Sequence, residues 1–288
     1  MTTPADLGPP GPGSPGSRRA NDLVARIGSS VVLATVALGA VWAGVWPFGL
    51  LLALVAGIAG WEWGRLVRGA NWDLLQILHV AAAVIAALVA IAGYGMLAAI
   101  GLLIVAIVMV VLRWRQRDVL SGAGVMATGL PVVSLAWVRT DSLHGLEAVL
   151  FIFAVVWATD IGGYVFGRMI GGPKLWVAVS PNKTWAGALG GLFLAGVCGA
   201  VVAWWLGSPD LGGVALAAVM LAVAAIFGDL IESALKRRFG RKDASNLIPG
   251  HGGILDRVDG LMAAAVVAAL FVMLRNPMHP GAGLLFWP

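Results

Sequence analysis

Cysteine, charge and internal repetition are all scarce in this chain, and each scarcity narrows what it can be. Cys198 is the one cysteine, so no disulfide closes within the chain; it lies inside an apolar run and reads as a small buried hydrophobe. Charged residues make up 11% of the 288 positions, against about a quarter in a soluble domain. Hydrophobic residues make up 60%, and the mean hydropathy is +0.92. The solvent that suits such a chain is lipid. A net charge of +5 does not indicate nucleic acid, because the basic residues sit in short stretches between apolar runs, as membrane topology requires. His251 has no histidine or cysteine partner at zinc spacing. There is no Gly-x4-Gly-Lys-Ser/Thr loop, no nucleophile elbow and no serine–histidine–aspartate arrangement. No internal repeat stands out, which weighs against a transporter built from two similar halves.

What is present is a succession of long apolar runs. A spanning helix needs roughly 17–25 mainly apolar residues. Nine runs qualify: 27–46, 48–67, 74–92, 96–112, 119–138, 146–166, 185–206, 211–231 and 256–274. Pro47 divides the first two, and Gly93-Tyr94-Gly95 the third and fourth. Barrel strands are shorter and alternate in polarity. The expectation is therefore an all-α integral membrane protein, a polytopic helical bundle of about nine transmembrane helices. Residues 1–20, rich in Pro, Gly and Ser, read as a disordered tail. Residues 21–145 form an N-terminal scaffold of about five helices, poor in polar side chains. Residues 146–288 form a catalytic region with loops at 167–184 and 232–255.

Placing the N-terminus in the cytoplasm puts 17 of the 19 lysines and arginines on that side; only Arg139 and Arg275 fall outside. That bias follows the positive-inside rule. Many of the 13 tryptophans lie near run ends, as interfacial anchors do.

The polar chemistry is concentrated after residue 157. Asp160, Asp229, Asp256 and Asp259 lie in or beside apolar runs, where a carboxylate costs a few kcal/mol and usually has a partner or a function. An ion pair with Arg257 or a loop lysine would account for Asp256 alone, but not for all four acids together. Asp256 and Asp259 share one helix face, as do Asp229, Glu232, Ser233 and Lys236 one helix earlier. Two helices thus direct three carboxylates, Asp229, Asp256 and Asp259, toward one point, a donor set suited to Mg²⁺. In 167–187, Ser180 and Pro181 read as N-cap and first residue of a helix whose first turn holds Lys183 and Thr184. Such an N-terminus attracts phosphate. Arg168 and Lys174 add charge, and Gly167, Gly171 and Gly172 would let backbone approach a ligand. A capped helix flanked by basic residues is also ordinary topology.

From Ser233 to Asp259 the chain reads S-x-L-K-R-x4-K-D-x7-H-G-G-x2-D-R-x-D. This pattern resembles the hallmark of phosphatidate cytidylyltransferases. Asp160, Gly162, Tyr164, Gly167 and Arg168, then Ser180-Pro181-x-Lys183-Thr184 and Gly190-Gly191, match family segments in the same order. The resemblance is strong over roughly 155–275; at position 186 the family's usual glutamate is replaced by Ala186. It implies an enzyme of phospholipid biosynthesis in the cell membrane, joining CTP and phosphatidic acid to give CDP-diacylglycerol and pyrophosphate at the cytoplasmic face. It also implies a homodimer. On this reading Asp229, Asp256 and Asp259 hold one or two Mg²⁺ ions. Lys183, Ser180, Thr184 and Arg168 meet the CTP phosphates or pyrophosphate. Lys236, Arg237 and Lys242 hold the lipid phosphate, and Asp160 contacts metal or nucleotide. His251, Gly252 and Gly253 join the substrate-binding residues. A CTP-dependent polyprenol kinase, releasing CDP, is the nearest rival. A transporter would place its acids nearer the midplane. A structural scaffold leaves the acids unexplained, and the spaced aspartates of CDP-alcohol phosphotransferases are missing.

Overall fold

A glycine, rather than the proline beside it, separates the first two helices. In the computed structural model α1 (Pro15–Ala43) ends before Gly44, and α2 (Val45–Arg68) carries Pro47 in its first turn. Gly44 adopts φ +123°, which a residue with a Cβ rarely reaches. Proline is tolerated in a first turn, where no intrahelical N–H bond is lost. The structure describes residues 15–69, 72–245, 247 and 252–286, with side chains from 28 onward. Residues 1–14 of the expected tail and His251 lie outside the described residues, whereas 15–20 open α1.

The helices that follow are α3 (Leu74–Ile91), α4 (Gly95–Leu112), α5 (Val119–Arg139), α6 (Gly145–Met169), α7 (Trp185–Trp205), α8 (Leu211–Arg238), α9 (Leu255–Arg275) and the short α10 (Pro280–Leu285). Eight helices, α2 to α9, are long and apolar enough to cross a membrane. In place of the first expected run, 27–46, stands a shorter apolar helix, Gly28–Ala43, the apolar part of α1. The protein is a polytopic helical membrane protein. One departure from an all-α chain is a hairpin of β1 (Lys174–Trp176) and β2 (Ser180–Thr184), paired antiparallel between α6 and α7.

Helix α5 is the most enclosed, with α2, α3 and α4 on one side and α6 and α9 on the other. Helices α6 to α9 pack in sequence. Large apolar side chains such as Leu97, Ile104 and Val111 of α4 stay exposed on the protein, as lipid-facing residues do. Within the first half, polar contacts join helices. Gln76 accepts from Arg68 at 2.5 Å and donates to the Gly60 carbonyl at 3.1 Å, and His79 Nε2 meets Thr128 Oγ1 at 2.9 Å. Such pairs act as glue where packing in lipid lacks a hydrophobic drive. Arg139, one of the two expected exceptions to the charge rule, donates to the Val41 carbonyl at 3.0 and 3.2 Å. It thereby satisfies an orphan carbonyl at the end of α1.

The joint between α6 and α7 is built from glycine. A Cβ on Gly162 would lie 2.7 Å from the Gly190 carbonyl, and one on Gly191 2.8 Å from the Thr159 carbonyl. Gly167 likewise faces Thr184 and Gly187. These glycines let α6 and α7 approach closely. Gly171 and Gly172, at φ +67° and +87°, turn the chain from α6 into β1.

Candidate active site

Cross-helix contacts fix which ends meet: Gly162 with Gly190 and Gly167 with Gly187 join α6 to α7, Gly228 with Asp259 joins α8 to α9, and Trp63 with Leu120 and Glu62 with Leu255 bring in α2 and α5. The ends of α2, α6 and α8 and the starts of α5, α7 and α9 therefore gather at one side of the bundle, with the hairpin. Asp160 lies toward the end of α6, Asp229 toward the end of α8 and Asp259 in the second turn of α9. The charges of Asp160, Asp229 and Asp259 act on one another. Lys183 of β2 forms an ion pair with Asp229, and its charge also acts on Asp160, as does that of Arg257. Ser233 donates to Asp229 at 3.2 Å, from one turn further along α8. Gly228 makes this approach possible, because a Cβ there would meet the Asp259 carbonyl and Ala263. Four elements distant in sequence thus bring three acids and two cations into one neighbourhood, where Lys183 and Asp229 pair directly.

Asp256 stands in different surroundings from Asp259. It shares a helix face with Asp259, yet its oxygens are taken up: Lys236 Nζ stands 2.5 Å from Oδ1, and the N–H groups of Gly253 and Ala244 donate to Oδ2 at 2.8 and 2.9 Å. Lys236 also pairs with Glu232, and all three side chains are buried. This cluster ties Lys236 of α8 and the backbone of Ala244 and Gly253 to the start of α9. Among the described residues, no three Asp, Glu, His or Cys side chains close on one point as ligands do.

The start of α7 also differs from expectation. Ser180 and Pro181 belong to β2, Ser180 opposite Trp176, and the helix cap is Thr184, whose Oγ1 accepts from Gly187 at 3.1 Å. The Trp185 N–H donates to the Pro173 carbonyl at 3.0 Å. Two of the first N–H groups of α7 are thus used by the chain itself. Both Ser180 and Thr184 can cap a helix; strand pairing across the hairpin decides between them. Ala186 sits in the first turn of α7, half-buried.

The remaining candidates scatter around this centre. Arg168 is exposed and donates to the Tyr164 hydroxyl at 3.0 Å, while Arg237 reaches the Arg241 carbonyl. Lys242 lines an open crevice of about 330 Å³ with Arg65, Arg241, Asp243, Ala244 and Ser245. Gly252, at φ +82°, lies against Asp256, and Gly253 is wedged against Glu62. A larger apolar crevice of about 510 Å³, among α4, α5 and α9, includes Trp137 and Leu270 and none of these residues.

Sequence reasoning overlooked two residues of α2. Arg65 enters the basic crevice after stacking on Trp61, its guanidinium 4.9 Å from the ring centre. Glu62 is fully buried and accepts from Ser245 Oγ, Ile254 N and Leu255 N. A carboxylate inside an apolar run was the available signal, and it applies to Glu62 as much as to Asp160.

The Cytidylyltransferase family model matches residues 24–275. The chain belongs to the cytidylyltransferase family. It is 38% identical over 264 residues to a phosphatidate cytidylyltransferase of Brucella suis biovar 1 (strain 1330), covering 91% of this chain and 98% of that one. A phosphatidate cytidylyltransferase of Brucella abortus biovar 1 (strain 9-941) is 38% identical over 252 residues, covering 87% and 93%. One of Staphylococcus haemolyticus (strain JCSC1435) is 43% identical over 125 residues, covering 43% and 47%. The protein is accordingly a nucleotidyltransferase embedded in a membrane, and the four-element cluster is its candidate active site.

Proposed function

We propose that the enzyme transfers the cytidylyl group of CTP to phosphatidic acid, giving CDP-diacylglycerol and pyrophosphate. An oxygen of the lipid phosphate attacks the α-phosphorus of CTP. The bond from that phosphorus to the oxygen bridging to the β-phosphate breaks, and its electron pair leaves with pyrophosphate. The attacking phosphate is already anionic, so no strong general base is required. The difficulty is bringing anions together and stabilising the leaving group, which positioned charge does best. The observation that carries this reading is the meeting of Asp160, Lys183, Asp229 and Asp259 from four separate elements in a chain of this family.

Neighbouring carboxylates suit a hard divalent cation in donor chemistry. Among the described residues no three such side chains close on one point, so Asp229 and Asp259 would hold Mg²⁺ together with phosphate oxygens of the substrate. Bound there, the ion would neutralise charge developing on the phosphates. Lys183, balanced by Asp229 in the structure, is placed to exchange that partner for a phosphate oxygen. Lys242, Arg241 and Arg65 suit the lipid phosphate better than Lys236, whose charge is committed to Glu232 and Asp256. The lysine and arginine distribution supports a cytoplasmic site, where CTP is dissolved and the lipid enters from the leaflet.

The test uses purified protein in detergent with phosphatidic acid, labelled CTP and Mg²⁺, with and without EDTA. Label entering lipid as CDP-diacylglycerol, with pyrophosphate released and EDTA abolishing both, is the expected result. Release of CDP with a newly phosphorylated lipid would overturn it in favour of a kinase.

A further inference from the structure

Glu62 is the one carboxylate of α2, and none of its contacts belongs to the reacting cluster. Its side chain is fully buried. Oε1 accepts from Ser245 Oγ at 2.6 Å and Ile254 N at 3.0 Å; Oε2 accepts from Leu255 N at 2.7 Å. Ser245 precedes the signature glycines, while Ile254 and Leu255 follow them. One carboxylate therefore joins the middle of the segment between α8 and α9 to the start of α9. Asp256 repeats the grip from the other side, accepting from Ala244 and Gly253. Ile254, the N-cap residue of α9, supplies no side-chain cap, and Glu62 satisfies first-turn N–H groups in its place. Ala59 and Trp63 of α2 pack in one apolar cluster with Ala244 and Leu255, so the helix bearing Glu62 is seated against what it holds. A Cβ on Gly253 would strike the Glu62 carboxylate, which explains a glycine at that position without invoking a ligand.

We infer that Glu62 is a positioning residue of the active site, capping α9 from α2 and thereby setting where Asp259 stands against Asp229. The inference rests on the proposed site for its effect on catalysis, though the grip itself does not. An ionised carboxyl is the acceptor-only side chain that can take three donors at one place. Glutamine offers one acceptor and turns an NH₂ toward an N–H.

The test compares Glu62→Gln with Gln76→Ala, which removes a buried polar side chain of α3 that does not touch the segment. Trypsin cleavage at Arg241 and Lys242, both exposed, reads the grip without reference to activity. We expect E62Q to speed that cleavage about tenfold and lower kcat about tenfold or more, with KM for CTP within about twofold, since hydrogen bonds to a charged group are the stronger kind. Q76A should leave both cleavage and kcat near wild type. Ser245→Ala, which removes one donor and leaves Glu62, should speed cleavage by about threefold and serves if E62Q fails to accumulate. Unchanged cleavage in E62Q and S245A would overturn the grip. Faster cleavage at wild-type kcat, or equal loss of kcat in E62Q and Q76A, would overturn the positioning role. Faster cleavage in E62Q when the wild type transfers no cytidylyl group would overturn the proposed site and keep the grip.

Discussion

Lys236 Nζ stands 2.5 Å from Asp256 Oδ1, whereas Asp259, one turn further along the same helix, interacts with the like charge of Asp229. Two acids three residues apart in one signature therefore have opposite surroundings. Asp256→Asn should break a buried ion pair, at a cost of about 3–5 kcal/mol, so melting temperature and activity fall together. Asp259→Asn should abolish turnover while leaving the melting temperature equal to or above that of the wild type, since it removes repulsion. Melting curves in detergent beside CDP-diacylglycerol formation check the contrast.

Lys183 balances Asp229 in a cluster of three acids. Lys183→Met should reduce kcat by about a hundredfold or more, the scale for losing one charge-stabilising group. Insertion and helix content should not change. Circular dichroism with a turnover assay separates the two.

Asp141 gathers four backbone N–H groups, from Leu143, His144, Gly281 and Ala282, and so ties α10 to the turn between α5 and α6. Burial pushes its carboxyl up, but these donors outweigh that and hold it below the ordinary carboxylate value. A depressed folded-state pKa gives stability that is present above the unfolded value, about 3.9, and lost as pH falls through the folded one. Asp141→Asn should cost about 1–3 kcal/mol at neutral pH. The gap from wild type should stay level from pH 8 to 5 and close below about pH 4, as thermal unfolding across that range would show.

Gly162 packs against the Gly190 carbonyl where α6 crosses α7. Gly162→Ala should push the helices apart, at a cost of about 1–3 kcal/mol. Because α6 carries Asp160 and α7 follows Lys183, turnover should fall as well. An equivalent change at Gly28, where a Cβ meets nothing within 4 Å, should leave both stability and turnover near wild type.

The apolar runs and the charge ledger were legible because lipid imposes a length and a sign rule on every span. The residue types of the candidate cluster were legible too, since carboxylates in lipid need a reason to be there. Misplaced features had two local solutions of similar worth. Gly44 and Pro47 can each end a helix, and Ser180 and Thr184 can each cap one. Helix periodicity put Asp256 and Asp259 on one face but could not say that Lys236 and two loop N–H groups would take the first and leave the second to Asp229.

By itself the sequence determined the class of molecule, the rough bounds of its long helices and the residue types available at one end of them, because these follow from composition and periodicity along a single strand of chain. Only the tertiary structure decided which acids meet. The bond from Leu255 to Glu62 spans 193 residues, and that distance leaves no trace in local pattern. Such pairings depend on how whole helices pack, and so on glycines such as Gly162 and Gly228 that set how closely the helices approach.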